Sequence, residues 1–310
     1  MYKFVVKRLL TIIPILLGVS IATFLLMFAT GDPAARIAGP MAGPEQIESI
    51  RKAYGLDKPL YEQYFLWLSK ILRGDFGRSW KWGAPVSQLI WERLPRTLEL
   101  TLAAFLVSLG MGIPLGIIAA LRRKTWVDYT SMGIALFGVS IPNFWQGLMG
   151  ILIFAIWLGW FPIGGYGSIK HLILPALTLG TSQAGSVARL TRSSMLDVLR
   201  QDYIRTARAK GLQERMVIYK HALKNAFIPV VTILFLRLPF LFGGTVVIEK
   251  VFAWPGMGRL MVDSILGTQP DFLTVLAVMF MYVVLAVVAN LLCDITYAYL
   301  NPKIRYEERK

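Results

Sequence analysis

The chain has little of what cross-linking, metal binding and acid–base chemistry use. One cysteine, Cys293, stands in 310 residues, so no intrachain disulfide can form. Two histidines, His171 and His221, add too few soft ligands for a spaced metal cluster. Charged residues are 16% of the chain, and the 18 acidic residues are outnumbered by 33 basic ones. The sequence contains no G-x-x-x-x-G-K-[ST] phosphate loop, no H-E-x-x-H and no G-x-S-x-G. These absences argue against a nucleotide hydrolase, a zinc protease and a serine hydrolase. The catalytic, cofactor and metal sites expected in this chain are therefore none.

What the chain has instead is apolar length. Hydrophobic residues make up 55% of it, and the mean hydropathy is +0.56. Six runs approach the roughly 20 residues that a helix needs to cross a bilayer: 9–29, 98–120, 132–157, 171–187, 228–247 and 273–298. The first is too long for the core of a signal peptide and reads as a retained span. The fourth is diluted by Gly180, Thr181, Ser182, Gln183 and Gly185, residues that suit a helix packed among helices. The expected fold is an all-α polytopic membrane protein.

Lys and Arg set the orientation. Lys3, Lys7 and Arg8 precede the first run, and Arg122, Arg123 and Lys124 follow the second. Nine basic residues from Arg189 to Lys224 separate the fourth run from the fifth, and Lys303, Arg305, Arg309 and Lys310 close the chain. Both termini are expected in the cytoplasm. The connection 31–97 carries ten basic residues yet is placed outside, since loops beyond about 60 residues escape the charge rule. It has helix signals of its own. Pro44 follows Gly43 and precedes Glu45, and Ile47, Ile50 and Tyr54 share a face that Gly55 ends. A second helix starts at Pro59, with Leu60, Tyr64 and Leu68 as its stripe. The expected parts are thus 1–30 (N-terminus and first span), 31–97 (helical extracytoplasmic subdomain), 98–298 (five-helix core) and 299–310 (cytoplasmic tail).

Polar groups at membrane depth mark candidate pathway residues. Asn143 and Gln146 lie in the third run beside Pro142, and Arg237 lies in the fifth. Arg237 follows Pro229 by eight residues, about 12 Å of helical rise. It reads either as a cavity-facing cation or as an arginine paired with a neighbouring subunit or snorkelling to an interface. Gly112-x-x-x-Gly116 in the second run permits close helix approach.

The block 200–227 interrupts this pattern with cations. Asp202 is placed to cap a helix over 203–210, Gly211 to end it in a left-handed turn, and a second helix is expected over 212–225. Arg205 and Arg208 share a face, and Ala207 and Ala209 keep the first helix slim. A rigid, non-apolar element held between two spans is suited to receive force from another protein. A solvated loop is the plain alternative.

Thr206-Ala207-x-x-x-Gly211 resembles the "EAA" loop of bacterial ABC importer permeases, E-A-A-x-x-x-G, nine residues, then I-x-L-P. Arg205-Thr206-Ala207 stands for E-A-A, and His221-Ala222-Leu223-Lys224 for I-x-L-P; the Glu, Ile and Pro of the general pattern are absent. The departures are similar to the peptide-class permeases (dipeptide, oligopeptide, glutathione and nickel importers). So are GDPAARIAGP, YGLDKPLYEQY, GDFGRSW, SIPNFW, RLTRSSMLDVL, GGTVVIEKVFAWPGMGRL and NPKIRY. The loop after the third run is shorter than in dipeptide permeases that carry an insertion.

The resemblance implies the first of two homologous permease subunits in a bacterial inner membrane. It also implies two ATPase subunits that hold ATP and Mg, and an outside solute-binding protein. It assigns Arg205, Thr206, Ala207 and Gly211 to the ATPase contact and its turn, and His221, Ala222 and Leu223 to the arm leading back to the fifth span. The implied solute is a dipeptide, an oligopeptide or glutathione, with a nickel chelate as the alternative. A stand-alone ion-coupled carrier is the rival, but the chain has neither an internal inverted repeat nor a mid-span carboxylate.

Overall fold

The computed structural model describes residues 2–29, 31–39, 41–266 and 270–300, with the side chains of 2–7, 9, 228, 235–237 and 297–300 outside that description. Most of the expected tail, including NPKIRY, lies outside the described residues as well. Within them the chain is helical, with one isolated antiparallel bridge between Arg78 and Pro85.

Helix α1 (Tyr2–Ala29) leads into three short helices, α2 (Pro33–Ala38), α3 (Pro44–Tyr54) and α4 (Leu60–Leu72). Then come α5 (Val86–Leu121), α6 (Trp126–Ser140) and α7 (Asn143–Gly150), the last prolonged by a π-helical stretch, Ile151–Trp157. Helix α8 (Ile169–Leu199) precedes the basic block, which holds α9 (Asp202–Ala209), α10 (Glu214–Met216) and a second π-helical stretch, Val217–Ala222. Helices α11 (Leu223–Val251), α12 (Met257–Ile265) and α13 (Phe272–Leu300) complete the chain.

Among the described residues, three helical segments are long and apolar enough to cross a membrane: Leu10–Ala29, Val86–Leu121 and Phe272–Thr296. The third expected span, 132–157, is not one rod. Helix α6 and the α7 segment meet at 100° and make a fourth crossing only if counted as one broken span. The cause is Pro142, which disfavours the helical region for the residue before it; Ile141 is extended, at φ −94° and ψ 130°. The fourth and fifth expected spans fall on α8, 31 residues, and α11, 29 residues. Each is over 40 Å long at about 1.5 Å per residue. Helix α5 runs unbroken across the expected boundary at residue 97.

Helix α8 is the hub, because small residues let its neighbours approach closely. A Cβ on Gly112 would lie 2.6 Å from Val187 Cβ and 2.7 Å from the Ala184 carbonyl; one on Gly116 would lie 2.5 Å from Thr191 Cβ. From the other side, a Cβ on Gly180 would sit 2.6 Å from Val107 Cβ and 2.7 Å from the Ala104 carbonyl. The Gly112-x-x-x-Gly116 signal therefore marks the parallel α5–α8 seam, where dispersion contacts replace the hydrophobic drive absent in lipid. Gly185 does the same against α6, where an added Cβ would collide with the Ala135 carbonyl. Asp128, 2% exposed, locks the far end of that seam. It accepts from Arg192 Nε at 2.7 Å and Nη2 at 2.6 Å.

The segment between α1 and α5 docks on the bundle. Ser20 and Tyr64 share a 2.7 Å hydrogen bond, and the Phe24 ring packs on Tyr64 and Trp67. Ser79 donates to the buried carboxylate of Asp271, which also accepts from Thr274 Oγ1 at 2.7 Å at the start of α13. Pro44 opens α3 and Gly55 closes it at φ +69°, as the sequence signals require. Leu60, expected on a packed stripe, is 57% exposed.

Candidate functional site

The basic block folds into a bent hairpin seated on the ends of α5 and α8. Ile204 and Ala207, three apart on α9, turn inward with Val217, Ala222 and Ala226 against Ala120 and Met195. Ile204, Val217 and Ala222 are fully buried. Burying a side chain the size of Ile204 or Val217 stabilises by roughly 1.5–3 kcal/mol, so this seat fixes the hairpin to the bundle. The opposite face, with Arg205, Thr206, Arg208, Ala209 and Lys210, is exposed.

Gly211 makes the bend. Its φ of +75° is the left-handed conformation that glycine adopts without strain. Gly211 N–H donates to the Arg208 carbonyl at 2.9 Å. Across the turn Arg208 grips Glu214 with two bonds, Nε to Oε2 at 3.1 Å and Nη2 to Oε1 at 2.7 Å. That contact holds the Glu214 carboxyl below its ordinary range, opposed by partial burial.

Two details differ from the sequence reading. The first helix begins at Asp202 itself, with Gln201 at the cap position and no side-chain cap bond; the Asp202 carboxylate lies 3.5 Å from Arg205 instead. The expected helix over 212–225 is not separate. Its residues run through α10 and the Val217–Ala222 π-helix directly into α11, so the hairpin's second arm and the following long helix are one continuous rod. Nothing in the residue types of Val217–Ala222 announces the π-helical winding. His221 is half-buried there, while Asn225 Nδ2 ties the two arms by donating to Tyr203 OH at 2.8 Å.

Of the three pathway candidates, Asn143 and Gln146 can be placed, both at the α6–α7 break. Gln146 is engaged at the α6–α7 break: its Nε2 donates to the Gly138 and Ile141 carbonyls at 2.6 and 2.9 Å, and its Oε1 accepts from Thr181 at 3.0 Å. Those bonds satisfy backbone groups that the proline leaves without helical partners. Asn143 opens α7 and is half-buried. Arg237 lies within α11, but its side chain is outside the described residues. No group of three or more His, Cys, Asp or Glu is placed to hold a metal among the described residues.

Sequence reading passed over Glu249, which is fully buried near the end of α11 opposite the hairpin. It accepts from Thr97 Oγ1 at 2.7 Å and from the Arg259 backbone N–H at 3.0 Å. A Cβ on Gly256 would strike its carboxylate. This network fastens the WPGMGR turn to α5 and α11, and its partners lie too far apart in sequence to be seen there.

The description "binding-protein-dependent transport system inner membrane component" matches residues 112–306, and the companion N-terminal description matches residues 1–101. The chain belongs to that family. This permease is 44% identical to the oligopeptide transport system permease protein AppB of Bacillus subtilis (strain 168), over 99% of this chain and 100% of that protein. It is 46% identical to the glutathione transport system permease protein GsiC of Escherichia coli (strain K12), with the same coverage. Among solved structures, an inward-facing MetNI methionine ABC transporter chain superposes with a TM-score of 0.59 at 18% identity, covering 69% of the permease and 97% of that chain. A chain of an amino acid ABC transporter with histidines gives a TM-score of 0.56 at 15% identity, covering 69% and 94%. At these identities the structural likeness establishes the permease fold alone.

Proposed function

We propose that the chain is one of two homologous permease subunits of an ATP-driven importer and forms half of the pathway for a peptide-type solute. Full-length relatives named for oligopeptide and glutathione transport favour a dipeptide, oligopeptide or glutathione over a nickel chelate. The chain would cross the membrane six times, on α1, α5, α6–α7, α8, α11 and α13, with both termini and the hairpin in the cytoplasm. Two ATPase subunits would hydrolyse ATP with Mg, and a solute-binding protein would deliver the solute to the opposite face, helped by the 31–97 segment.

The observation that carries this reading is the hairpin: a cationic projection, seated by buried side chains on α5 and α8, that joins α8 to α11 through two short turns. Arg205 and Thr206, both exposed, would touch the ATPase. Ala207, Ala222 and Leu223 would seat the hairpin and pass its displacement to α8 and α11, with Gly211 and His221 in the turn and the returning arm. Affinity purification of the chain from cells expressing its genomic companions tests the reading. ATPase subunits should co-elute, and Arg205→Glu together with Lys210→Glu should release them. A transport-competent chain that elutes alone would sink it.

A further inference from the structure

Helix α8 is covered on three sides and open on a fourth. Gly180, Ala184 and Ala188 meet α5, Gly185 meets α6, and Val187 packs with Val230 and Leu234 of α11. The uncovered side is polar. Ser182, Ser186, Arg189 and Ser193 recur at i, i+4, i+7 and i+11, which keeps them within roughly 60° of one another on a helix; Gln183 flanks Ser186. Arg189 and Ser193 are exposed, and Ser182, Gln183 and Ser186 half-buried. The side chains of Gln183, Ser186 and Arg189 make no hydrogen bond or ion pair with any described residue.

Within the expected run, Ser182, Gln183 and Ser186 are costly to turn towards lipid, because hydrocarbon offers no partner to an unmet polar group. The contrast within the same protein is sharp. The open faces of α5 and α6 present Leu102, Leu106, Ile134 and Phe137, at 58, 57, 60 and 69% exposure. Beside the polar stripe, between α8 and α11, runs a groove of about 300 Å³ lined by Ser186, Val187, Arg189, Leu190, Ile233 and Leu234. Ser186 stands near the middle of the 31-residue α8, at the cytoplasmic end of the expected run 171–187, with Arg189 just beyond it. The two walls of the groove are also the two helices that the hairpin joins, so a hairpin displacement that moves one against the other changes its width.

Building on the permease reading above, we infer that this groove is a wall of the solute pathway. Gln183 and Ser186 offer hydrogen bonds in place of water, and Arg189 draws the anionic end of the solute, such as a peptide carboxylate. The wall needs no ligand to be tested. In the reconstituted full transporter, Ser186→Cys is exposed to membrane-impermeant anionic and cationic methanethiosulfonates, without nucleotide and after vanadate trapping. The buried Cys293 of the unsubstituted chain gives the background, and Leu102→Cys is the lipid-face control.

Ser186→Cys should react at least about tenfold faster than Leu102→Cys in one of the two states, and adding Arg189→Gln should lower the anionic-to-cationic rate ratio by about fivefold to tenfold. Should Ser186→Cys not assemble, Gln183→Cys takes its place. An assembled, ATP-hydrolysing complex that stays unlabelled at either position in both states overturns the wall. An unchanged rate ratio overturns the role of Arg189. Both results leave the permease reading standing, whose own failure would be a complex without ATPase subunits.

Discussion

Gly211 offers a graded test of the hairpin, because its surroundings isolate one physical effect. It sits at φ +75°, and no heavy atom lies within 4 Å of the position a Cβ would take. A substitution there meets no steric wall, so its cost is that of the left-handed backbone alone. For alanine that is about 1–2 kcal/mol, while asparagine visits this region readily. Valine, β-branched and stiff, is a true outlier there. If residue 211 relaxes to negative φ, the chain leaves the turn in another direction, and the Arg208–Glu214 fork and the seat of Leu212 go with it. A penalty of about 1.4 kcal/mol is a tenfold shift in population. Reconstituted transporter should therefore rank Asn close to Gly, Ala reduced up to about tenfold in solute moved per ATP, and Val uncoupled, with ATP hydrolysed but uptake lost. The membrane core should melt unchanged in all three. Valine transporting like glycine would refute the reasoning, and asparagine failing as badly as valine would assign the effect to side-chain bulk instead.

Gly185→Leu should separate α6 from α8, since even a Cβ collides with the Ala135 carbonyl; overpacking of this kind costs about 1–3 kcal/mol, visible as a lower melting point in detergent. Asp128→Asn should destabilise by about 2–3 kcal/mol, at the low end for a broken buried pair because Arg192 is partly exposed; the same melting assay reads it, and Asp128→Asn with Arg192→Met should recover part of the loss. Lowering pH should weaken the hairpin through Glu214. Its folded pKa is depressed from 4.5 by Arg208, so its contribution is full above the ordinary value and disappears as pH falls through the lower folded one. Both partners are solvent-exposed, which limits the effect to about 0.5 kcal/mol; protection of hairpin amides from hydrogen exchange should be flat between pH 6 and 8, with Arg208→Gln removing only the acid-side loss.

Local chemistry was readable in the sequence, and long-range geometry was not. Gly211, Gly55, Pro44 and the Gly112/Gly116 pair each act through backbone freedom, a fixed φ or a missing Cβ, properties that travel with the residue. The break at Pro142 also had a local signal, but hydrophobicity over 132–157 masked it, since apolar composition is the same for a straight rod and a bent pair. Gln146 reads as a pathway candidate because it is polar at depth; that its amide also braces the bend follows from the Gly138 and Ile141 carbonyls the break frees, while its bond from Thr181, 35 residues away, is invisible in the sequence. The Asp128–Arg192 lock spans 64 residues and the Thr97–Glu249 bond 152. Ala207, expected with Ala209 to keep the first helix slim, turns inward instead, because a small residue serves a tight seat as well as a slim surface.

Cross-linking from Arg205→Cys in the assembled, membrane-embedded complex tests the transmission of force most directly. The account predicts a cross-link to an ATPase subunit whose yield changes between nucleotide-free and vanadate-trapped states, and which blocks uptake once formed. A cysteine at Arg205 that joins no ATPase subunit, while Glu45→Cys in α3 does, would contradict it.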